Sequence, residues 1–220
     1  MNQKLPREFD PVQATQLITL KEALSTIHKL GIGLGTSVVV MGTGPVGLAF
    51  IQFAKLLGAG PVLCVGRREA ALERALAEGA DFAVNNQIED VPARVKALTG
   101  GAGADLALDA VGDFDLIRLG LQCIKAGGAV RMYGVPEPDD AGVLPELSIP
   151  VYLGPMDWQV GSIYPDEPLV HDWMLSLVKQ GKVDPGRYVT HSLPLDDLAT
   201  GFELLAKREA LKVVALMQRD

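Results

Sequence analysis

The stretch Ser37–Gly47, SVVVMGTGPVG, constrains the fold more than any other segment of this chain. Val38, Val39 and Val40 are β-branched and uninterrupted, the pattern of a strand buried on both faces of a sheet. The apolar run ends on Gly42 and leads through Thr43 into Gly44, Pro45, Val46 and Gly47. Such a strand turns through glycines into a helix. Gly42 permits the turn, Gly44 lets a ligand approach the backbone, and Gly47 lets helix and strand pack closely. Pro45 suits the first helical turn, and the apolar residues from Val46 to Leu57 make a helix hydrophobic nearly all round, which stops at Gly58. Unpaired N–H groups at its positive end would hold the pyrophosphate of a dinucleotide. Ser37–Ala54 contains no charged residue, but three glycines and a proline within it favour strand plus helix over a membrane span.

The tip of the next strand, Pro61–Val65, bears on the choice of cofactor. NAD-binding versions of this unit place an acidic residue about 20 residues past the glycines, on the ribose hydroxyls. Here Val65 is followed by Gly66, Arg67 and Arg68. A carboxylate would repel a 2′-phosphate, whereas glycine opens space for it and guanidinium groups grip it bidentately. NADP(H) is therefore expected over NAD(H). The plainer alternative is that the arginines begin a solvated helix face, which leaves NAD(H) as the cofactor.

A chain of 220 residues, 48% of them apolar, suffices for one core and somewhat exceeds a nucleotide unit alone. The net charge of −7 argues against nucleic acid as a partner, which calls for a basic stripe. Two cysteines, Cys64 and Cys123, provide neither a disulfide framework nor a paired-cysteine metal cluster. A reducing cytoplasm is the simplest setting, and MNQKLPREFD has no signal-peptide core.

The strand–helix rhythm continues. A helix over Ala70–Ala77 precedes a short strand Phe82–Val84, and a helix Val91–Leu98 precedes a strand Asp105–Val111 that ends on Gly112. A helix Phe114–Ile124 is broken by Gly127 and Gly128, a strand Ala129–Tyr133 ends at Gly134, and Trp158–Ser162 forms a sixth strand after a proline-marked loop, Pro136–Pro155. This implies a doubly wound parallel Rossmann sheet of order 3-2-1-4-5-6 with helices on both faces, and a ligand at the carboxyl ends of the strands.

GTGPVGLAFIQFAKLLGA, EGADFAVN, LTGGAGADLALDAVG, KAGGAVRMYGV and SLPLDDLATGFELLAKREALKVV together resemble the medium-chain dehydrogenase/reductases. The proline of Gly42–Gly47 is similar to that of the zinc-type alcohol and polyol dehydrogenase branch. The resemblance covers nearly the whole chain. It implies that Val111 and Gly112 lie near the adenosine, Gly134 and Val135 near the nicotinamide, and Ser162 and Ile163 near its carboxamide. It also implies a homodimer through edge strand 158–162, which would cover an open sheet edge. On this reading residues 1–30 hold a leading helix and the crossing from a catalytic domain, 31–165 the dinucleotide-binding domain, and 166–220 the helices and strand that return to the catalytic domain. That domain, which carries the zinc ligands and proton relay in the family, is expected to be absent here.

The crossing often holds a further metal ligand in the family, and ATQLITLK, Ala14–Lys21, has none. His28, His171 and His191 are scattered, without metal-ligand spacing. His28 is expected on an exposed helix face, His191 packed before the last helix, and Glu22 is the one nearby carboxylate that would replace a missing ligand. Asp109 reads as a buried, hydrogen-bonded carboxylate near the cofactor rather than a base. No catalytic residue and no metal ligand is assigned. The expectation is the NADP(H)-binding portion of an oxidoreductase that moves a hydride between nicotinamide and an alcohol or carbonyl, with this chain alone inactive. The alternative is a stand-alone non-catalytic nucleotide-binding or NADPH-sensing module. Exposure of Leu17, Ile18, Phe202, Leu204, Leu205, Val213 and Val214 separates the two, since a contiguous apolar patch marks a surface built for another domain.

Overall fold

The computed structural model describes residues 4–7, 9–135, 159–163 and 165–217. The loop Pro136–Pro155 and Trp158 lie outside the described residues. The chain divides into two compact units, Thr26–Tyr164 and Met1–Ser25 with Pro165–Asp220.

The first unit is built on a six-stranded parallel sheet of order β3-β2-β1-β4-β5-β6. Its strands are β1 (Val38–Met41), β2 (Val62–Gly66), β3 (Phe82–Asn85), β4 (Ala104–Asp109), β5 (Ile124–Met132) and β6 (Gln159–Ser162). Every residue of β1 is buried, as a strand at the centre of a sheet covered on both faces demands. Helices α3 (Pro45–Leu56), α4 (Glu69–Ala77), α5 (Val91–Leu98) and α6 (Phe114–Cys123) connect them. Val39, Met41, Leu63 and Val65 share one apolar core with Val91, Val95, Phe114 and Ile117. The register positions the site: Met41 pairs with both Val65 and Asp109, Val65 with Val84, Asp109 with Met132, and Met132 with Ser162. The strands thus end in one row, and the loops that follow them emerge along a single edge.

Apart from shifts of a residue at element ends, three elements depart from the sequence reading. β4 stops at Asp109 because its carboxylate, rather than a neighbouring strand, takes the Val111 and Gly112 N–H groups. β5 begins directly after α6, at Ile124, and its register with β4 shifts between Ala104 and Leu106. Gly127, at φ +75°, lies inside this irregular strand, so the glycine pair bends β5 instead of parting it from the helix. β7 (His191–Pro194) was not foreseen as a strand; it pairs in parallel with β8 (Val213–Leu216).

In the second unit, α1 (Pro11–Ala14) is capped by Asp10, which accepts from Gln13 N at 2.8 Å. Helix α2 (Leu17–Lys29) begins here. Helix α7 (His171–Lys179) buries Met174 and Leu177, and the turn Pro185–Tyr188 buries Tyr188. Against the β7–β8 pair lies α8 (Leu198–Ala206), of which only Gly201 is buried. A Cβ there would approach Val213 Cγ1 to 3.0 Å, so the helix sits close on the pair. On the helix Phe202 is 64% exposed and Leu198 and Leu205 are exposed, while Leu204 is half-buried; Leu195 before it and Leu216 and Met217 at the end of β8 are exposed as well.

Candidate dinucleotide-binding site

The glycine loop after β1 is shaped by contacts that exclude side chains. Gly42 adopts φ +120°, and a Cβ on it would lie 2.8 Å from Val111 Cγ2. A Cβ on Gly47 would collide with the Gly42 carbonyl oxygen, so the first turn of α3 presses directly on the end of β1. Gly44 caps α3 without any side-chain hydrogen bond, and the space its Cβ would enter is open. The helix therefore presents its first N–H groups with no side chain in front of them, the arrangement that receives an anion.

At the neighbouring tip Gly66 ends β2, and its carbonyl accepts Asn86 N at 3.0 Å. Arg67 is exposed and makes no hydrogen bond or ion pair among the described residues. Arg68 occupies the N-cap of α4 and is engaged within the fold. Glu69 Oε1 accepts Asn85 Nδ2 at 2.6 Å, which commits that carboxylate to the structure. Beside this tip lies a cleft of about 410 Å³, lined by Arg67, Asn86, Gln87, Asp113, Leu116 and Arg118 among others. Asn86 Oδ1 is buried without a partner among the described residues, which leaves it able to accept a further donor. The sequence reading missed Asn86, Gln87, Asp113 and Arg118. The polar run Asn85–Gln87 after so short a strand was the available signal.

Asp109 is fully buried. Its Oδ1 accepts Val111 N at 3.0 Å and Gly112 N at 3.2 Å, and its Oδ2 accepts Gly112 N at 3.0 Å. Burial raises its pKa above the usual carboxylate range; the N–H groups of Val111 and Gly112 oppose the shift and the charge of Asp113 adds to it. Its backbone carbonyl accepts Tyr133 N at 3.0 Å and Gly134 N at 3.2 Å. Gly112 stands at φ +88°, and a Cβ on Gly134 would collide with Gly112 N. One residue thus joins the Val111–Gly112 and Gly134–Val135 loops. The Tyr133 ring meets Phe50 of α3 edge-on at 5.1 Å, and Ile163 N donates to Met132 O at 3.1 Å beyond Ser162. All the sequence-predicted site residues accordingly lie along the same sheet edge.

The remaining chemical groups are dispersed. His28 is exposed and His191 lies on β7 with Nδ1 3.1 Å from Thr190 Oγ1. His171 is buried, with Nδ1 3.5 Å from Lys21 Nζ. Lys212 donates to Thr19 Oγ1 at 2.9 Å, and its pKa is pushed down by burial against the opposing charge of Glu22. Burial pushes the Cys64 and Cys123 thiols up to about 12, which makes them poor nucleophiles. Among the described residues no group of three or more His, Cys, Asp or Glu side chains is arranged to hold a metal, and no helix is long and apolar enough to cross a membrane.

A six-stranded parallel sheet, a glycine turn pressed onto a bare helix N-terminus, and loops aligned at the carboxyl edge define a Rossmann-type dinucleotide-binding protein. Residues 45–153 match the zinc-binding dehydrogenase family. The chain is 29% identical over 215 residues to an L-threonine 3-dehydrogenase of Bacillus velezensis, covering 97% of this chain and 60% of that enzyme. It is likewise 29% identical to an NADP-dependent isopropanol dehydrogenase of Thermoanaerobacter brockii, across 97% of this chain and 61% of the relative. The solved alcohol dehydrogenase of Thermus sp. ATN1 superposes with a TM-score of 0.82 at 33% identity, over 98% of this chain and 61% of that one. The chain belongs to the zinc-type alcohol dehydrogenase branch of the medium-chain dehydrogenase/reductases and corresponds to their C-terminal cofactor-binding portion. It spans about three fifths of the length of these relatives.

Proposed function

We propose that this chain is the NADP(H)-binding portion of an alcohol or polyol dehydrogenase-like oxidoreductase. The observation that carries the cofactor choice is the β2 tip. Gly66 is followed by Arg67, which lines a cleft and has no partner among the described residues, and the carboxylate of Glu69 just beyond it is held by Asn85, while Asp113 and Asp115 belong to the α6 side of the cleft. In this reading the pyrophosphate rests on the Gly44–Gly47 helix start, with Thr43, Pro45 and Val46 shaping the loop. Arg67 and Arg68 attract the 2′-phosphate. The adenosine lies between the β2 tip and Val111–Gly112, with the Asn86 carbonyl oxygen ready for a donor. Gly134, Val135, Ser162 and Ile163 hold the nicotinamide end. The bound nicotinamide supplies the hydride chemistry, and the chain's residues orient it.

No residue of this chain is assigned a catalytic role. Turnover calls for a catalytic domain of the kind the relatives carry, in the same polypeptide or a partner chain. Of the seven residues that separate the two readings, Ile18, Phe202 and Leu205 are exposed, Leu204 and Val213 are half-buried, and Leu17 and Val214 are buried. The exposed ones, with Leu216 and Met217 at the end of β8, support a docking surface for that domain, and the buried ones leave the stand-alone module as the second reading. β6 is an edge strand of the sheet, and we read it as the seam of a homodimer. Two buried free thiols suit a reducing cytoplasm.

Calorimetric titration with NADPH and, separately, NADH tests the reading. Binding of NADPH at least about tenfold tighter is expected, a difference of about 1.4 kcal/mol. Equal or NADH-favoured binding would return Arg67 and Arg68 to a solvated helix face. Binding of neither would overturn the reading of this chain as a cofactor-binding portion.

A further inference from the structure

We infer that Thr43 sets the cofactor choice jointly with Gly66, because its methyl group fills the space that an acidic side chain at the β2 tip would need. The inference rests on the NADP(H) reading above. An ideal Cβ on Gly66 would lie 2.7 Å from Thr43 Cγ2 and 3.1 Å from Leu72 Cδ2. The leucine approaches with the far end of a flexible chain and yields a few tenths of an ångström readily. The threonine does not, since a β-branched side chain is stiff at χ1 and its Cβ is fixed to the glycine turn.

That turn has little freedom. Gly42 N donates to Val65 O at 3.0 Å, and the contact of Gly47 with the Gly42 carbonyl leaves no room for a shift toward the helix. The β2 side is equally held, with Gly66 paired to Asn85 and its carbonyl bonded to Asn86 N. Thr43 and Gly66 are therefore a matched pair across the tip. Threonine closes the position to the carboxylate that would take the ribose hydroxyls of NAD(H), and Gly66 leaves the polar contacts there to Arg67. The Thr43 hydroxyl has no hydrogen-bond partner among the described residues, so the methyl can be removed without breaking a bond of the fold.

The test compares wild type with Gly66→Asp, Thr43→Ser, Gly66→Asp/Thr43→Ser and Gly66→Asp/Thr43→Val, each titrated with NADPH and NADH and each melted without cofactor. Gly66→Asp alone is expected to lose NADPH affinity at least tenfold with no matching gain for NADH, and to melt lower than wild type. Adding Thr43→Ser should raise NADH affinity at least tenfold over the single variant and recover part of the melting temperature. Adding Thr43→Val, which keeps the obstruction, should do neither. If Gly66→Asp binds NADH and melts as the Ser double variant does, the role of Thr43 is overturned. If wild type favours NADH while the coupling between positions 43 and 66 persists, the NADP(H) reading fails and the matched pair stands. Binding of neither dinucleotide by any variant overturns the cofactor role together with that reading.

Discussion

Both carboxylate oxygens of Asp109 accept the same N–H group, that of Gly112, at 3.2 and 3.0 Å. The carboxylate also takes Val111 N, so a buried charge is compensated entirely by backbone donors. Removing it would leave the buried Gly112 N–H unpaired, at about 1–3 kcal/mol, and the half-buried Val111 N–H unpaired at less, partly offset by relief of the buried charge. Asp109→Ala is therefore expected to lower stability by about 2 kcal/mol in urea unfolding and to weaken dinucleotide binding. Unchanged affinity would detach the loop from the cofactor.

Gly47 carries a prediction about stability alone. Any side chain there meets the Gly42 carbonyl oxygen, a backbone atom with no freedom to retreat. Gly47→Ala should cost at least about 3 kcal/mol, beyond the usual overpacking penalty for adding one carbon, whereas Gly44→Ala, which enters open space, should be tolerated by the fold. Similar melting temperatures for the two variants would contradict the close helix–strand approach.

Arg67 and Arg68 separate by their surroundings. Arg67 has no partner among the described residues, while Arg68 stands at the N-cap position of α4, without a side-chain cap hydrogen bond, and is engaged elsewhere in the fold. Arg67→Ser should reduce NADPH affinity about tenfold, or about 1.4 kcal/mol, leave NADH affinity nearly unchanged and leave the melting temperature alone. A parallel loss for both cofactors would place Arg67 away from the 2′-phosphate.

Asp105 carries a pH dependence. Burial pushes its carboxyl upward, but hydrogen bonds from Lys125 and from the hydroxyl and N–H of Ser37 outweigh this, and the net pKa lies below 3.8. A depressed folded-state value contributes stability above the unfolded value that is lost as pH falls through the folded one. Asp105→Asn should be less stable than wild type by about 1 kcal/mol at pH 7, with the gap closing as pH drops below about 4. A gap that stayed constant down to pH 2 would assign the effect to shape rather than charge.

Phe202 is 64% exposed on α8. Phe202→Asp should leave unfolding, NADPH binding and the proposed β6 dimer as they are and reduce aggregation beyond the dimer in sedimentation or light scattering. A large fall in stability would show that the ring packs within the unit.

The sheet order, the glycine turn and the row of loops were legible because each rests on local signals: β-branched runs, helix stops and glycines at fixed spacing. The end of β4 was misplaced because Asp109 replaces a sheet hydrogen bond with a side-chain one, which no apolar pattern reports. β5 was read too short, since Gly127 and Gly128 break a helix by rule yet bend a strand here. Histidine and proline at its two ends hid β7, and its partner β8 lies about twenty residues away. The polar run Asn85–Gln87 hinted at the cleft, but that Arg118 of α6 lines it together with Asn86 and Gln87 follows from tertiary structure alone. The crowding of Gly66 by Thr43 was equally out of reach, since it depends on two tips coming within a methyl radius.

The backbone contact between Gly112 and Gly134 has a mechanical meaning. Two loops that emerge from neighbouring strands are locked into one rigid lip, hung from a single aspartate at its centre. On the proposed placement a cofactor reaching from adenosine to nicotinamide would span that lip, so both of its ends would rest on one connected piece of backbone.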